Sequence, residues 1–313
     1  MFRITRRKAV AGAALAAAAL ALTACSSTTS LPGDENDADA SAETNSVFAD
    51  APVAADDLIL PGSTMERIKE RGKLVVAEAL DAPLLSQQNP TDPDSVEGFD
   101  ADLAKLLAIY ILGEPNVEIV PPATETREAM LQNDTVDVVF NTYTITPERA
   151  EQVSFAGPYF ESGLAVAVTS DNDEITGIED LDGKEVIVGA NTPAVTAVPE
   201  QAPTANVTAF ATDPAAVQAL LQGRGDAYVQ DYTLLASNAA NDSSLKVVGT
   251  PFTKEPYGIG LKHGDDDFKS FVNDWLLSIQ KSGHWAEAWK TTLGTVTDSD
   301  VPTAPEIGSV PGS

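Results

Sequence analysis

Alternating apolar and polar stretches divide the middle of the chain into short strands separated by helices. The pattern predicts strands at residues 73–78, 117–120, 136–143, 165–169, 185–189 and 227–230. It predicts helices at 63–71, 100–112, 125–133, 213–222, from about 231, at 267–281 and at 285–292. Strands that alternate with helices form right-handed βαβ units on mainly parallel sheets. We therefore expect an α/β fold.

Two stretches of this pattern are similar to each other. "LQNDTVDVV" (131–139) and "LQGRGDAYV" (221–229) each combine a helix end, a polar turn, an aspartate and a strand. Polar residues follow both strands, at 141–144 and at 230–233. Open sheets bind ligands at the carboxyl ends of their strands. The similarity indicates either two α/β lobes that face one ligand or two βαβ units within one sheet.

The stretch "NTYTITPER" (141–149) places a charge where it is not expected. Thr146, Pro147 and Glu148 are typical of the cap, first and second positions of a helix, so Arg149 falls in the first turn. A cation there costs about 0.3–1 kcal/mol against the helix dipole. The position is favourable if an anion binds between the guanidinium and the free helix amides. The alternative is a solvated helix arginine.

The beginning of the chain has the features of an export signal. Four basic residues precede an apolar run that ends near Leu22, which is too short and alanine-rich for a permanent membrane helix. The sole cysteine of the chain, Cys25, follows Leu22-Thr23-Ala24. We expect residues 1–24 to be a signal peptide, removed before Cys25. The alternative is a signal peptide followed by an incidental cysteine.

Composition suggests that both flanks of the folded part are loose. Residues 26–60 contain eight acids and no basic residue, so we expect 25–62 to form a disordered tether. Residues 298–313 are rich in Pro, Ser, Gly and Asp, and we expect a disordered tail there. The formal charge of −28 includes the four positive charges of the leader and becomes −32 without them. Such an acidic chain is an unsuitable partner for nucleic acid.

Catalytic and metal-binding patterns are weak. The two histidines, His263 and His284, have no metal-like spacing, and no serine elbow or phosphate loop is present. We expect no cofactor and no metal. A carboxylate pair among the 47 acids remains the one catalytic alternative that sequence leaves open.

Several motifs together resemble a known family. They are "GFDADLAKLLA" (98–108), "VDVVFNTYTITPERAEQVSFAGPYF" (136–160), "IEDLDGKEVIVGANTPA" (178–194) and "PYGIGLK" (256–262). In this order they resemble the bacterial extracellular solute-binding proteins, family 3, that deliver polar amino acids to ABC importers. "TETREAMLQND", "ANTPA" and "PFTKEPYGIGLKHGD" are more narrowly similar to actinobacterial glutamate-binding lipoproteins.

The resemblance implies a periplasmic-binding-protein-like fold of two lobes, each a mainly parallel sheet flanked by helices, with the ligand in the cleft at the hinge. Lobe 1 would comprise residues 63–160 and 258–297, and lobe 2 residues 161–257, with crossings near 160–163 and 254–257.

The resemblance also implies a set of binding residues. Arg149 would hold the α-carboxylate of an amino acid, helped by Thr144 and by Thr192 from the other lobe. Thr142 would lie on the same face of the extended chain as Thr144. Asp231 would accept hydrogen bonds from the ammonium. Alternatively, Thr144 and Thr192 are strand-end or capping hydroxyls, and Asp231 is a helix cap.

The identity of the amino acid depends on weaker features. Arg127 matches an arginine that acidic-amino-acid binders direct at the side-chain carboxylate; its alternative is a surface salt bridge with Glu125 or Glu128. Against this, Ala79 and Leu80 stand where related glutamate binders have a basic and an aromatic residue. Glutamate is therefore the favoured ligand, with glutamine, asparagine and aspartate as rivals.

These features predict the partners and the location of the protein. We expect a monomeric lipoprotein at the outer face of the cell membrane, anchored through an acylated Cys25, with palmitate as the acyl group. Its partners would be a free amino acid and the permease subunits of an ABC importer. The alternatives are a lipid-anchored amino-acid sensor, or an enzyme resembling the cyclic-acid dehydratases built on a similar two-lobed fold.

Overall fold

The computed structural model describes residues 47–296 and 300–313, so the leader and Cys25 lie outside the described residues. The strands in this part are β1 (Leu74–Ala77), β2 (Asp81–Ala82), β3 (Ser86–Asn89), β4 (Asp92–Glu97), β5 (Val117–Val120), β6 (Val138–Val139), β7 (Ser154–Ser162), β8 (Leu164–Thr169), β9 (Glu185–Gly189), β10 (Asn206–Phe210), β11 (Ala227–Asp231), β12 (Leu245–Val248) and β13 (Glu255–Leu261). The α-helices are α1 (Thr64–Arg71), α2 (Phe99–Leu112), α3 (Arg127–Gln132), α4 (Pro147–Ala150), α5 (Ala194–Gln201), α6 (Asp213–Leu221), α7 (Tyr232–Asn241), α8 (Asp266–Ser282) and α9 (His284–Thr291).

The first sheet combines early and late parts of the chain. Its strand order is β5-β1-β6-β13-β7. Strand β1 runs parallel to β5 and β6, whereas β13 runs antiparallel to β6 and β7. Because β13 returns from lobe 2, the first lobe is discontinuous in sequence.

The second sheet is built from one continuous part of the chain. Its order is β10-β9-β11-β8-β12, with β9 parallel to β10 and β11, and β8 antiparallel to β11 and β12. The two similar sequence stretches end in β6 and β11, which lie in different sheets. The two-lobe interpretation of the similarity is therefore confirmed, and so is the α/β fold class.

The chain passes between the sheets at two adjacent segments. The first is Gly163, between β7 and β8, and the second connects β12 to β13. The Leu164 N–H donates to Thr253 Oγ1 at 2.8 Å, which joins the two segments. A Cβ at Gly163 would collide with the Thr253 carbonyl oxygen, so this approach needs glycine. The predicted lobe limits, 160 and 258, lie close to these segments and stay a prediction.

Helices cover the first sheet with apolar faces. Helix α8 buries Phe268, Val272, Trp275 and Ile279 at helical spacing. Helix α2 is more uniformly apolar, and most of its residues are buried in the same core. No helix within residues 47–296 and 300–313 is long and apolar enough to cross a membrane.

Several elements differ from the sequence prediction. A three-stranded sheet, β2-β3-β4, was not predicted because "SQQN" and "DPDSVE" have no apolar alternation. Strands β7 and β13 and helix α5 contain prolines, which the pattern treats as breaks. The short strands β10 and β12 were also missed. The strand predicted at 136–143 is limited to Val138–Val139.

Parts of the two flanks predicted to be loose pack against the first lobe. Val47 is buried in the core of the first lobe, and the Ala54 N–H donates to the Tyr110 carbonyl at 2.8 Å. Near the other end, Ile307 packs against the same core and the Gly308 N–H donates to the Gly157 carbonyl at 2.8 Å. The predicted disorder of the two flanks stays a prediction, but these contacts show that average composition hides a few apolar side chains that pack on the core.

Candidate functional site

A cavity of about 400 Å³ lies between the two lobes, and residues of both line it. All six residues that the sequence assigned to ligand binding are on its wall: Arg127, Thr142, Thr144, Arg149, Thr192 and Asp231. Most of them follow or end the strands β6, β9 and β11. Their placement agrees with ligand binding at the carboxyl ends of strands, while the individual roles stay predictions.

Arg149 is buried in the first turn of α4, so it is not a solvated helix arginine. The Thr146 side chain accepts from the Arg149 backbone N–H at 3.3 Å, which confirms the predicted cap. The Arg149 side chain donates from Nη1 to the Thr144 carbonyl and from Nη2 to the Asn191 carbonyl, both at 2.7 Å. Its Nε lies 3.5 Å from Glu128 Oε1. A guanidinium has five N–H donors, so two remain for a ligand.

Arg127 is buried as well, which contradicts the alternative of a surface salt bridge. It donates to the backbone carbonyls of Thr124, Asn141 and Asn191, at 3.0, 3.3 and 3.4 Å. Burial lowers the pKa of Arg127 to about 10, and the neighbouring Arg149 adds to this effect. Burial also lowers the pKa of Arg149. Two guanidinium groups thus form one positive cluster on the cavity wall.

Tyr143 and Glu128 support this cluster, and the sequence analysis gave neither of them that role. The guanidinium carbons of Arg127 and Arg149 lie 4.5 and 4.7 Å from the centroid of the Tyr143 ring. The Tyr143 hydroxyl donates to Glu128 Oε1 at 2.7 Å. Within the described residues, Glu128 is the carboxylate in an ion pair with the cluster. Two positive charges therefore face one negative charge.

Asn191 joins the second lobe to this cluster. It follows β9, and its carbonyl accepts hydrogen bonds from both arginines. Its Nδ2 donates to Glu128 Oε2 at 3.2 Å. Nearby, the Thr124 N–H and hydroxyl both donate to the Ala211 carbonyl at 3.2 Å. The lobes are thus in direct polar contact at this end of the cavity.

Thr142 and Thr144 occupy different conformations from those expected. Thr142 has φ 45°, in the left-handed region, and its N–H donates to Asp100 Oδ2 at 2.9 Å. The two threonines therefore do not share one face of an extended chain, because the chain leaves the sheet after Val139. Both still line the cavity, and the Thr144 hydroxyl opposes the rise that burial causes in the pKa of the neighbouring Glu255.

Thr192 makes a local contact and also precedes a helix. Its hydroxyl donates to the Gly189 carbonyl at 2.8 Å, which is the strand-end bond of the alternative interpretation. Thr192 and Pro193 both line the cavity directly before α5 begins at Ala194. The partial positive charge of this helix start therefore lies at the cavity wall.

Asp231 caps helix α7 through one of its two carboxylate oxygens. Its Oδ1 accepts from the Thr233 N–H at 2.9 Å, from the Leu234 N–H at 3.4 Å and from the Tyr257 hydroxyl. Its Oδ2 is buried and accepts no hydrogen bond of acceptable geometry from the described residues. Burial raises the pKa of Asp231, although the hydroxyls of Thr233, Tyr257 and Ser162 oppose the rise. The capping bonds therefore use Oδ1 and leave Oδ2 without a hydrogen bond.

Glu255 is a second carboxylate of this kind, and sequence reasoning missed it. It begins β13 and lines the cavity. The Thr253 hydroxyl donates to its Oε1 at 2.9 Å, while its buried Oε2 has no hydrogen-bond partner among the described residues. Burial raises the pKa of this carboxyl.

Three aspartates complete the acidic part of the wall: Asp81, Asp100 and Asp213. Burial raises the pKa of Asp100 and of Asp213 to about 6. Asp213 accepts from the Tyr228 hydroxyl and from Asn238 Nδ2, both at 2.9 Å. Asp213 closely follows β10, so the strand-end rule would have found it if that strand had been predicted.

The comparison with family models decides the class of protein. Residues 74–295 match the model of the bacterial extracellular solute-binding proteins, family 3. The chain belongs to this family. This match confirms the family resemblance carried by the motifs.

Known relatives of this solute-binding protein are amino-acid-binding proteins by name. It is 38% identical over 214 residues to a glutamine-binding protein of Geobacillus stearothermophilus, which covers 67% of this chain and 81% of the relative. It is 32% identical over 238 residues to a glutamate-binding protein of Corynebacterium efficiens, and the match covers 72% of this chain and 80% of the relative. Among solved structures, an ancestral arginine-binding protein bound to glutamine is similar with a TM-score of 0.67 and 33% identity, covering 72% and 99%.

Proposed function

We propose that the protein captures a free amino acid between its lobes and delivers it to the permease of an ABC importer. The observation that carries the proposal is the charge of the arginine cluster. Arg127 and Arg149 are both buried, and Glu128 supplies one negative charge against their two positive charges. An α-carboxylate at the two remaining N–H donors of Arg149 balances the cluster, in the bidentate geometry that arginine favours.

The opposite charge of an amino acid has matching partners in Asp231 of the second sheet and in Glu255, which begins β13 of the first sheet. The ammonium group supplies three N–H donors, and Asp231 Oδ2 and Glu255 Oε2 are buried acceptors without partners. Charge-assisted hydrogen bonds contribute about 1.5–3 kcal/mol each. A few of them, less the free-energy cost of closing the lobes, suffice for an affinity of about −8 kcal/mol, which is micromolar.

The two ends of the ligand engage different lobes. Arg149 belongs to the first lobe, whereas Thr192 and Asp231 belong to the second. A ligand that contacts both lobes binds the closed arrangement more tightly than the open one and shifts the population toward it. We propose that the permease recognises this closed arrangement.

The names of the relatives and the geometry of the cavity favour different side chains of the ligand. Relatives named for glutamine and glutamate support the sequence preference for these ligands. The geometry does not favour glutamate, because Arg127 shares the Asn191 carbonyl with Arg149 and belongs to the same cluster. No further cation is among the described cavity residues to meet a second carboxylate.

We also propose that Cys25 carries a lipid that anchors the protein to the outer face of the cell membrane. The support is the run Leu22-Thr23-Ala24 before the only cysteine of the chain. Membrane fractionation of a Cys25→Ser variant should release the protein into the medium. Equal retention of the variant and the parent in the membrane fraction would contradict the anchor.

The test of binding is calorimetry of the purified protein, freed of co-purifying ligand, against all twenty amino acids. Arg149→Ala should abolish binding of every amino acid that the parent binds, since all share the α-carboxylate. Because Arg149 is buried, its replacement by alanine can also disturb folding. Arg149→Lys is therefore a second variant, which keeps the positive charge and loses the planar guanidinium, and it should weaken binding at least tenfold. Arg224→Ala is the control, since Arg224 is exposed and lies outside the cavity. Retained affinity in both Arg149 variants would refute the proposal that Arg149 binds the α-carboxylate.

Two further measurements separate the alternatives. Uptake of the bound amino acid should fall when the gene is deleted, whereas unchanged uptake would favour a sensor. Mass spectrometry of the ligand after incubation should recover it intact, whereas conversion would indicate an enzyme.

A further inference from the structure

We propose that the cavity selects amino acids whose side chain carries a second positive charge, and that Asp81 and Asp213 bind that charge. The inference rests on the proposed function, because it concerns the side chain of the same ligand. The chemical class is an α-amino acid with an ω-ammonium or guanidinium group.

The charge of the cavity wall is the first argument. Its charged residues are two arginines and five carboxylates: Arg127, Arg149, Asp81, Asp100, Asp213, Asp231 and Glu255. A neutral zwitterion brings no net positive charge to this wall. A dicarboxylic amino acid adds one more negative charge, whereas a basic amino acid removes part of the excess.

The second argument is that the carboxylates have little cationic compensation, since Glu255 interacts with Arg149 but forms no ion pair with it. Within the described residues, none of the five takes part in an ion pair. Two of them also carry an oxygen without a hydrogen bond, since Asp231 Oδ2 and Glu255 Oε2 are buried in residues that are 6% and 4% exposed and line the cavity. Buried carboxylates without partners are costly, so a cationic ligand that supplies donors is favoured.

The carboxylates fall into two groups, and a ligand with two cations matches this division. Asp231 interacts with Glu255 and with Asp100, and Glu255 also interacts with Thr144 and Arg149, beside which we place the α-ammonium. Asp213 instead interacts with Asp81, which adds to the rise that burial causes in the pKa of Asp213.

Asp81 and Asp213 approach the cavity from different lobes. Asp81 is in β2 of the small sheet, and Asp213 begins α6 beside the second sheet. Tyr228 and Asn238 each donate one hydrogen bond to Asp213, which fixes the carboxylate and leaves each oxygen a second lone pair. A cation between the two aspartates would relieve their repulsion and contribute to closure.

The wall near Asp81 suits the carbon chain of such a ligand. Leu80, Ala82, Leu85 and Leu234 line the same cavity. An aliphatic stem can pack on these side chains while its charged end reaches the aspartates, as long basic side chains do elsewhere in proteins.

Calorimetry with matched ligands tests the inference. The amino acid with the highest affinity should be L-lysine, L-ornithine or L-arginine. L-Lysine should bind about 10- to 100-fold more tightly than L-norleucine, which has the same carbon chain without the ammonium, the range expected for one charge-assisted hydrogen bond. L-Glutamate should bind more weakly than L-norleucine. Norleucine, glutamine or glutamate binding as tightly as every basic amino acid would overturn the inference.

Variants locate the side-chain site. Asp81→Asn and Asp213→Asn should each remove most of the preference for lysine over norleucine and leave norleucine affinity within about threefold. Asp81 is exposed, so its variant tests the idea even if Asp213→Asn folds poorly. Asp171→Asn makes the same charge change at an exposed position outside the cavity and should keep the preference. A lysine preference that survives both cavity variants would overturn the assignment.

The outcomes separate this inference from the proposed function. Glutamine or glutamate binding that Arg149→Ala abolishes and that neither aspartate variant changes would overturn the side-chain inference alone. Absence of binding for all amino acids would overturn both. Titration with CaCl₂ and MgCl₂ is the remaining arm, and a heat signal that Asp81→Asn removes would assign the aspartates to a metal and overturn the inference.

Discussion

Tyr143 provides a sharp test of how the arginine cluster is held. Its ring lies under two buried guanidinium groups, at 4.5 and 4.7 Å, and its hydroxyl donates to Glu128 at 2.7 Å. Phenylalanine at this position keeps the ring and removes the hydroxyl. Leucine removes both. The two substitutions therefore separate the hydrogen bond from the stacking.

The expected magnitudes follow from burial. Tyr143→Phe leaves a Glu128 oxygen short of a donor and should lower the free energy of unfolding by about 1–3 kcal/mol. A desolvated cation–π contact contributes about 2 kcal/mol or more, against 0.5–1 at exposed sites. Tyr143→Leu loses two such contacts, so it should cost about 4 kcal/mol beyond Tyr143→Phe.

Urea unfolding of the purified protein measures these differences, and calorimetry measures the effect on ligand affinity. Tyr143 does not line the cavity. Its replacement by phenylalanine should therefore change affinity less than about threefold. Replacement by leucine should lower affinity at least tenfold, because the arginines lose their support. A change of affinity in the phenylalanine variant as large as in the leucine variant would assign the effect to the hydroxyl.

Tyr110 is the matched control for losing a ring. It is also buried, and its ring packs on Phe271 with a centroid distance of 5.0 Å, with no cation placed over it among the described residues. Tyr110→Leu should cost at least about 2 kcal/mol less than Tyr143→Leu, because no cation–π contact is lost. Equal costs for the two leucine variants would refute the role of the ring in holding the arginines.

Three further predictions concern pH, the hinge and the tail. Burial raises the pKa of Asp100 and Asp213 from 3.8 to about 6, so the folded state binds more protons than the unfolded state between these values. The free energy of unfolding of the ligand-free protein should thus rise by about 1 kcal/mol per group from pH 7.5 to pH 5. A Tm that is unchanged or lower at pH 5 would contradict this. Asp213→Asn should reduce the rise. Gly163→Ala pushes a Cβ against the Thr253 carbonyl and should cost about 1–3 kcal/mol in urea unfolding and weaken ligand binding; unchanged stability would show that the two segments separate freely. Deletion of residues 300–313 should lower the free energy of unfolding by about 2 kcal/mol or more, because apolar side chains leave the core, whereas a loose tail would leave it unchanged.

The apolar pattern by itself determined the alternation of strands and helices, while it left two lobes and a single sheet as open alternatives. It succeeded where periodicity is strong, as in α8, and where the two similar stretches end in β6 and β11. Local chemistry also sufficed for the Thr146 cap of α4, since a cap depends on residues three positions apart. Motifs and strand ends together indicated Arg149, in the short helix that follows β6, and Asp231, the last residue of β11.

Only the tertiary structure decided how the charges of the site are balanced. Glu128 and Asn191 contact Arg149, and Glu255 lines the cavity; the three come from distant parts of the chain, and nothing in their local sequence indicates these positions. Whether a carboxylate is paired or left without a donor depends on which side chains folding brings near it. Burial then determines how much free energy the missing hydrogen bond costs. For that reason the sequence indicated an amino acid, while the excess of carboxylates on the wall became visible only once the lobes were assembled.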